Sequence, residues 1–131
     1  MLSPVHTLVA CSALTFFMLT AGAAIRGKWW TLSGLLFGFG NREGQTPSTG
    51  MAGRADRAAN NMIEGMAMFL PLMLAARFDG GHLARVELGA NVFFYARLVY
   101  WPVYLFGIPY LRTAVWGVSV AGLVMIGTAL L

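Results

Sequence analysis

The stretch RADRAANNMIE, residues 54–64, places polar side chains at a spacing that constrains how the chain can fold. Its recurring polar positions lie three, four and three residues apart: Arg54, Arg57, Asn61 and Glu64. An α-helix presents positions with this spacing on one face. A long apolar run follows the stretch, and a charge at the centre of a bilayer costs about 2.5 to 3.5 kcal/mol even on the mildest scale. These side chains must therefore face protein, water or the membrane interface.

The composition of the whole chain indicates a membrane protein. Of 131 residues, 58% are hydrophobic and only 11% are Asp, Glu, Lys or Arg, against about 25% in an ordinary soluble domain. The mean hydropathy is +0.68. These values exclude a disordered chain, a coiled coil and a typical soluble enzyme. The charges lie at the ends of apolar runs, so we expect the lipid bilayer as a partner and no nucleic acid.

Four apolar runs are long enough to cross a membrane, which takes about 20 residues each. They cover approximately residues 4–25, 54–77, 83–106 and 109–131, and residues 26–53 connect the first two. The sequence predicts one membrane domain, residues 1–131, of the all-α class and folded as a four-helix bundle. Lys and Arg are concentrated in the first connection, which predicts a cytoplasmic loop at 26–53 and termini outside.

Two interpretations of the polar face in the second run remain open. It could be a structural network, in which Arg57 pairs with a neighbouring helix and Asn61 joins helices by hydrogen bonds. It could instead line a pocket for a charged, peptide-like ligand, with Arg57 binding a carboxylate and Glu64 an ammonium. Arg57 and Glu64 are two turns apart, about 10 Å along the axis, so we do not expect them to pair directly.

The third run carries a second face, formed by Arg97, Tyr100 and Tyr104 at a spacing of three and four. These residues could form an interfacial belt, or a second wall for an anionic ligand. Arg112 lies one turn into the fourth run, after Pro109, which suits the start of a helix. It could anchor the helix by the positive-inside rule, or it could stabilise a thiolate, the reactive form of a thiol.

These segments together resemble the MAPEG family, the membrane-associated proteins of eicosanoid and glutathione metabolism. The resemblance rests on RAANNMIE at 57–64 with FLPL at 69–72, on FYARLVY at 94–100 with Tyr104, and on PYLRT at 109–113. It covers nearly the whole chain, because the four runs match in order. The chain is similar to bacterial-type members, which implies the bacterial inner membrane as its location.

The resemblance implies a homotrimer that binds glutathione as a co-substrate between neighbouring subunits, near the cytoplasmic face. It implies a transferase or peroxidase that acts on a hydrophobic electrophile or a lipid hydroperoxide. Arg112 would be the catalytic residue that holds the thiolate. The residues expected to bind glutathione are Arg57, Asn61, Glu64, Arg97, Tyr100, Tyr104 and Arg26.

The chain also departs from the eicosanoid-type pattern. Gly65 stands where those members usually have Tyr, Val99 stands where the leukotriene-synthase branch has a second Arg, and the first connection is longer. These departures argue against a mammalian-type eicosanoid synthase. The alternatives are a small four-helix transporter and a non-catalytic scaffold. The transporter is disfavoured, because that class typically uses an acidic residue in its first span for proton coupling and the first run here contains none. Cys11 and the two isolated His residues have no second ligand at metal spacing, so we predict no metal site.

Overall fold

The computed structural model describes residues 1–41, 43–44, 47–79 and 82–131, apart from the side chain of Asp79. Over this part of the chain it is all-helical and contains no strand. The helices are α1 (Pro4–Gly27), α2 (Leu32–Phe39), α3 (Gly50–Asp79), α4 (Leu83–Phe106) and α5 (Pro109–Thr128). The link left between the predicted second and third runs, residues 78–82, includes residues 80 and 81, which lie outside the described residues.

The connection predicted at 26–53 is shorter in the structure. The first helix continues to Gly27, α3 begins at Gly50, and the connection contains the extra helix α2. Thr31 starts α2, because its side chain accepts a hydrogen bond from the backbone N–H of Gly34 at 3.1 Å. At about 1.5 Å per residue, the eight residues of α2 extend only about 12 Å, which is too short to cross a bilayer.

Within the described residues, two helices, α1 and α5, are long and apolar enough to cross a membrane by length and composition. The long helices α3 and α4 carry more charge along their length. Both are in contact with every other long helix, whereas α1 and α5 do not contact each other. The charged helices thus form the centre of the molecule, and the apolar ones flank them.

The core between the long helices is rich in sulfur and aromatic side chains. Phe69 of α3 stacks on Phe93 of α4 with ring centroids 4.6 Å apart, and both are fully buried. Met18 of α1 and Met62 of α3 are also fully buried. Methionine fills irregular gaps between helices, so these side chains can fill the contact between α1 and α3. Pro71 lies inside α3, which continues past it to Asp79.

Two glycines bring the backbones of α4 and α5 into direct contact. A Cβ atom added to Gly89 would lie 2.8 Å from the carbonyl oxygen of Gly122, and one added to Gly122 would lie 2.7 Å from the backbone nitrogen of Phe93. Small residues at helix contacts are typical of membrane proteins, where they let backbones approach closely. The link between these helices is short, because Gly107 ends α4 with a φ of 74° and Pro109 begins α5.

We expect the substitution Gly122→Ala to destabilise the protein by about 1 to 3 kcal/mol, because the added methyl group must separate α4 from α5. Gly117→Ala is the matched control on the same helix. A Cβ atom at Gly117 meets no described atom within 4 Å, so this variant should unfold at or slightly above the wild-type temperature. Thermal unfolding in detergent measures both effects, and equal shifts for the two variants would contradict the close contact.

Candidate functional site

The polar face of α3 contains both exposed side chains and side chains that are hydrogen-bonded within the protein. Arg57 and Glu64 are exposed, and Asn61 between them is half-buried. The side-chain nitrogen of Asn61 donates a hydrogen bond to Glu64 Oε2 at 3.3 Å, as a three-residue separation in a helix allows. Arg57 forms no ion pair within the described part of the chain. The face therefore offers an exposed cation and an exposed carboxylate two turns apart.

Arg97 of α4 points into the contact between α3 and α4, where it is only 1% exposed. Its Nη1 donates a hydrogen bond to Asn61 Oδ1 at 2.5 Å. The guanidinium carbon lies 5.2 Å from the ring centroid of Phe93 and 5.5 Å from that of Tyr100, which are favourable cation–π distances. No described carboxylate lies within ion-pair distance of Arg97, and its Nε has no hydrogen-bond partner among the described residues.

Gly65 provides the space that the Arg97 side chain occupies. A Cβ atom added to Gly65 would lie 2.6 Å from Arg97 Nη2 and 3.0 Å from Cζ. Any other residue at this position would therefore displace the guanidinium group. Gly65 stands where eicosanoid-type members usually have Tyr. In this structure the guanidinium group of Arg97, from the neighbouring helix α4, occupies the space beside Gly65.

The aromatic residues of α4 connect Arg97 to the start of α5. Tyr100 and Tyr104 are buried and their rings meet edge to face, with centroids 5.3 Å apart. The guanidinium of Arg112 lies over the ring of Tyr104, with Cζ 4.8 Å from its centroid. A continuous series of contacts thus joins six of the predicted residues, in the order Glu64, Asn61, Arg97, Tyr100, Tyr104 and Arg112. We call this series the polar string.

Arg26 lies apart from the polar string within one chain. Its Nη1 pairs with Asp56 Oδ2 at 3.0 Å, and Ser48 Oγ donates to the same carboxylate oxygen at 2.5 Å. Arg26 and Asp56 border a small cavity of about 210 Å³, which Asn60 also lines. Asp56 lies about 100° around α3 from Arg57, and Asn60, three residues from Arg57 and four from Glu64, lies on the face of those two residues.

Two polar interactions of α3 were not predicted from the sequence. Asp56 pairs with Arg26, and Arg54 Nε donates to the carbonyl oxygen of Leu105 at 2.8 Å. Their partners lie 30 and 51 residues away. The local spacing of residue types therefore carried no signal for either interaction.

An apolar groove of about 770 Å³ lies far from Arg112. It is lined by Pro4 at the start of α1, by Arg77 near the end of α3 and by Leu83 at the start of α4. Arg112 follows the opposite end of α4. The groove is therefore separate from the polar string by most of the length of the bundle.

The fold and the site define a class: an all-helical membrane protein with a buried cation and two exposed charges gathered on its central helices. The sequence model of the MAPEG family matches residues 5–131, so the chain belongs to the MAPEG family. This confirms the resemblance seen in the sequence. Comparison with curated proteins and with solved structures found no match.

We expect Asn61→Leu to destabilise the protein by about 2 kcal/mol, because it removes the only hydrogen-bond acceptor that the buried Arg97 has among the described residues. Asn60→Leu is the control, since Asn60 is the next residue on α3 and is exposed. It should change the stability by less than about 0.5 kcal/mol. Thermal unfolding of the two variants in detergent separates these outcomes, and a larger loss for Asn60→Leu would contradict the role of Asn61.

Proposed function

We propose that this protein binds glutathione and uses it as a co-substrate to modify a hydrophobic electrophile or a lipid hydroperoxide. The observation that carries the proposal is the polar string, which runs from exposed Glu64 on α3 to Arg112 at the start of α5 in a chain of the MAPEG family. The MAPEG family includes glutathione transferases and peroxidases, as well as other members. The alternative is a scaffold that binds the ligand without turnover.

The charges on α3 complement a zwitterionic peptide. Arg57 and Glu64 lie about 10 Å apart along the helix axis, and both are exposed. An arginine recognises a carboxylate through parallel hydrogen bonds, and a glutamate accepts hydrogen bonds from an ammonium group. Extended glutathione carries an ammonium group and two carboxylates, so one ligand can satisfy both side chains at once.

Arg112 supplies the charge that thiol chemistry needs. It lies in the first turn of α5 and packs on Tyr104, which restricts the guanidinium to one place. A fixed cation and a helix N-terminus both favour an anion, so a thiolate is stabilised there over the thiol. In a transfer reaction the thiolate sulfur forms a bond to the electrophilic carbon, and the leaving group departs with the electron pair of the broken bond.

We further propose that α1, α3, α4 and α5 cross the membrane, with the α2 connection on the cytoplasmic side, and that three copies assemble. Two features support the assembly. Arg57 is an exposed cation without an ion pair among the described residues, and Arg26 is held by Asp56, whose side chain lies about 100° around α3 from that of Arg57. In a trimer, Arg26 of one copy can approach the polar face of the next, which makes glutathione a ligand of two copies.

We expect the purified protein in detergent to bind glutathione, and we expect Arg57→Ala and Glu64→Ala each to weaken binding at least about tenfold, because each removes a charge-assisted contact. Isothermal titration calorimetry measures the affinities. Arg85→Ala is the control, since Arg85 is an exposed arginine at the other end of the molecule, and its affinity should match the wild type. If the wild-type protein shows no binding of glutathione in this measurement, the proposal is wrong.

We expect Arg112→Gln to lower turnover about a hundredfold while changing glutathione affinity little, because the fixed cation acts on the developing anion rather than on the rest of the tripeptide. An activated aryl chloride is the test electrophile, and the ultraviolet absorption of the bound thiolate should weaken in parallel. Glutathione binding without turnover on aryl chlorides, epoxides and hydroperoxides would favour the scaffold. Unchanged thiolate absorption in Arg112→Gln would contradict the role of Arg112.

A further inference from the structure

The buried Arg97 side chain raises a question of charge balance. It is 1% exposed, and the single ion pair among the described residues is that of Arg26 with Asp56. A buried charge is costly unless it is paired and hydrogen-bonded. The rings of Phe93 and Tyr100 offset part of this cost, but they supply no negative charge. A carboxylate that acts on Arg97 must therefore do so through another group.

Asn61 is the group that makes this connection. A guanidinium group has donors only, so its hydrogen bond fixes the amide of Asn61 with the oxygen towards Arg97. The amide nitrogen then points the other way, towards the Glu64 carboxylate at 3.3 Å. Arg97, Asn61 and Glu64 thus form an ion pair that is bridged by an amide, with its cation buried and its anion exposed.

This geometry depends on the absence of a side chain at Gly65. The guanidinium lies directly against the α3 backbone there, and an added Cβ atom would meet Nη2, Cζ and Nε at 2.6, 3.0 and 3.3 Å. The displaced atoms belong to the group that is bonded to Asn61. A methyl group at Gly65 would therefore move the buried cation and release the amide from its fixed orientation.

We propose that Gly65 and Arg97 are positioning residues that act on Glu64 through Asn61. Gly65 admits the guanidinium, Arg97 orients the Asn61 amide, and the amide holds the exposed Glu64 carboxylate in place for the ammonium group of a ligand. This differs from the sequence expectation that Arg97 contacts glutathione directly. The inference rests on the proposed glutathione site and adds which residues determine its selectivity for an ammonium group.

The test compares the affinity for glutathione with the affinity for its deaminated analogue, which lacks only the ammonium group. The wild type should prefer glutathione, and Gly65→Ala should lower that preference about tenfold, close to the value for Glu64→Gln, because a charge-assisted contact is lost. The affinity for the analogue should stay unchanged. Gly117→Ala is the matched control, since its Cβ meets no described atom within 4 Å, and it should keep the wild-type preference.

Two further variants keep the test decisive if Gly65→Ala does not fold. Arg97→Gln removes the cation without adding volume, and it should lower the preference in the same way. Adding Arg97→Gln to Glu64→Gln should cause no further loss of preference, because both act at one contact. Equal weakening of both ligands, or an unchanged preference in Gly65→Ala and Arg97→Gln, would show that these residues only pack the helices.

A measurement without ligand separates this inference from the proposed function. In thermal unfolding, the shifts caused by Glu64→Gln and Arg97→Gln should be less than additive in the double variant, since each one breaks the same bridged pair. Additive shifts would overturn the inference even if glutathione binds. If the shifts are less than additive but the protein does not bind glutathione, the bridged pair is supported and only the proposed function is rejected.

Discussion

The rest of the structure depends on the guanidinium group of Arg97, which is enclosed between α3 and α4. Removing a charged group from water is among the largest costs that a folded protein can bear, and it is tolerable only with hydrogen bonds and polarisable neighbours around the charge. Asn61, Phe93 and Tyr100 supply these. Because Gly65 lets the group lie against the α3 backbone, α3 and α4 meet directly around it.

The contacts that α4 makes differ along its length. Where α4 meets α5, contact is made by glycines, and the backbones touch at Gly89 and Gly122. Where α4 meets α3 nearer the other end of α4, contact is made by a long cation and its partners. Gly107 and Pro109 then turn the chain within a few residues, so Arg112 returns beside Tyr104 on the end of the helix that carries Arg97.

The sequence predicted what local spacing determines. A three-residue separation within a helix brings Asn61 to Glu64. Low charge and high hydropathy predicted a membrane protein, and the resemblance of the motifs at 57–64, 94–100 and 109–113 to the MAPEG family is confirmed by the family match. Between helices it predicted, as one of two interpretations, that Asn61 forms hydrogen bonds, but it did not identify Arg97 as the partner. The partner of Arg97 is 36 residues away and that of Arg54 is 51 residues away, and α2 is an eight-residue helix among Gly and Thr residues that usually indicate a loop.

The two polar sides of α3 also bear on the proposed assembly. Asp56 is adjacent to Arg57, so the two side chains diverge by about 100° around the helix, and each side contains one exposed or half-buried cation–carboxylate set. The Arg26–Asp56 pair is partly exposed, so it contributes at most about 1 kcal/mol to the stability of the fold. Two unlike polar sides on one helix suit a head-to-tail interface, in which one side of a copy meets the other side of its neighbour. Such an interface closes into a ring when the rotation between copies permits. The proposed trimer follows this logic, since it would bring the Arg26 side of one copy against the Arg57 and Glu64 side of the next.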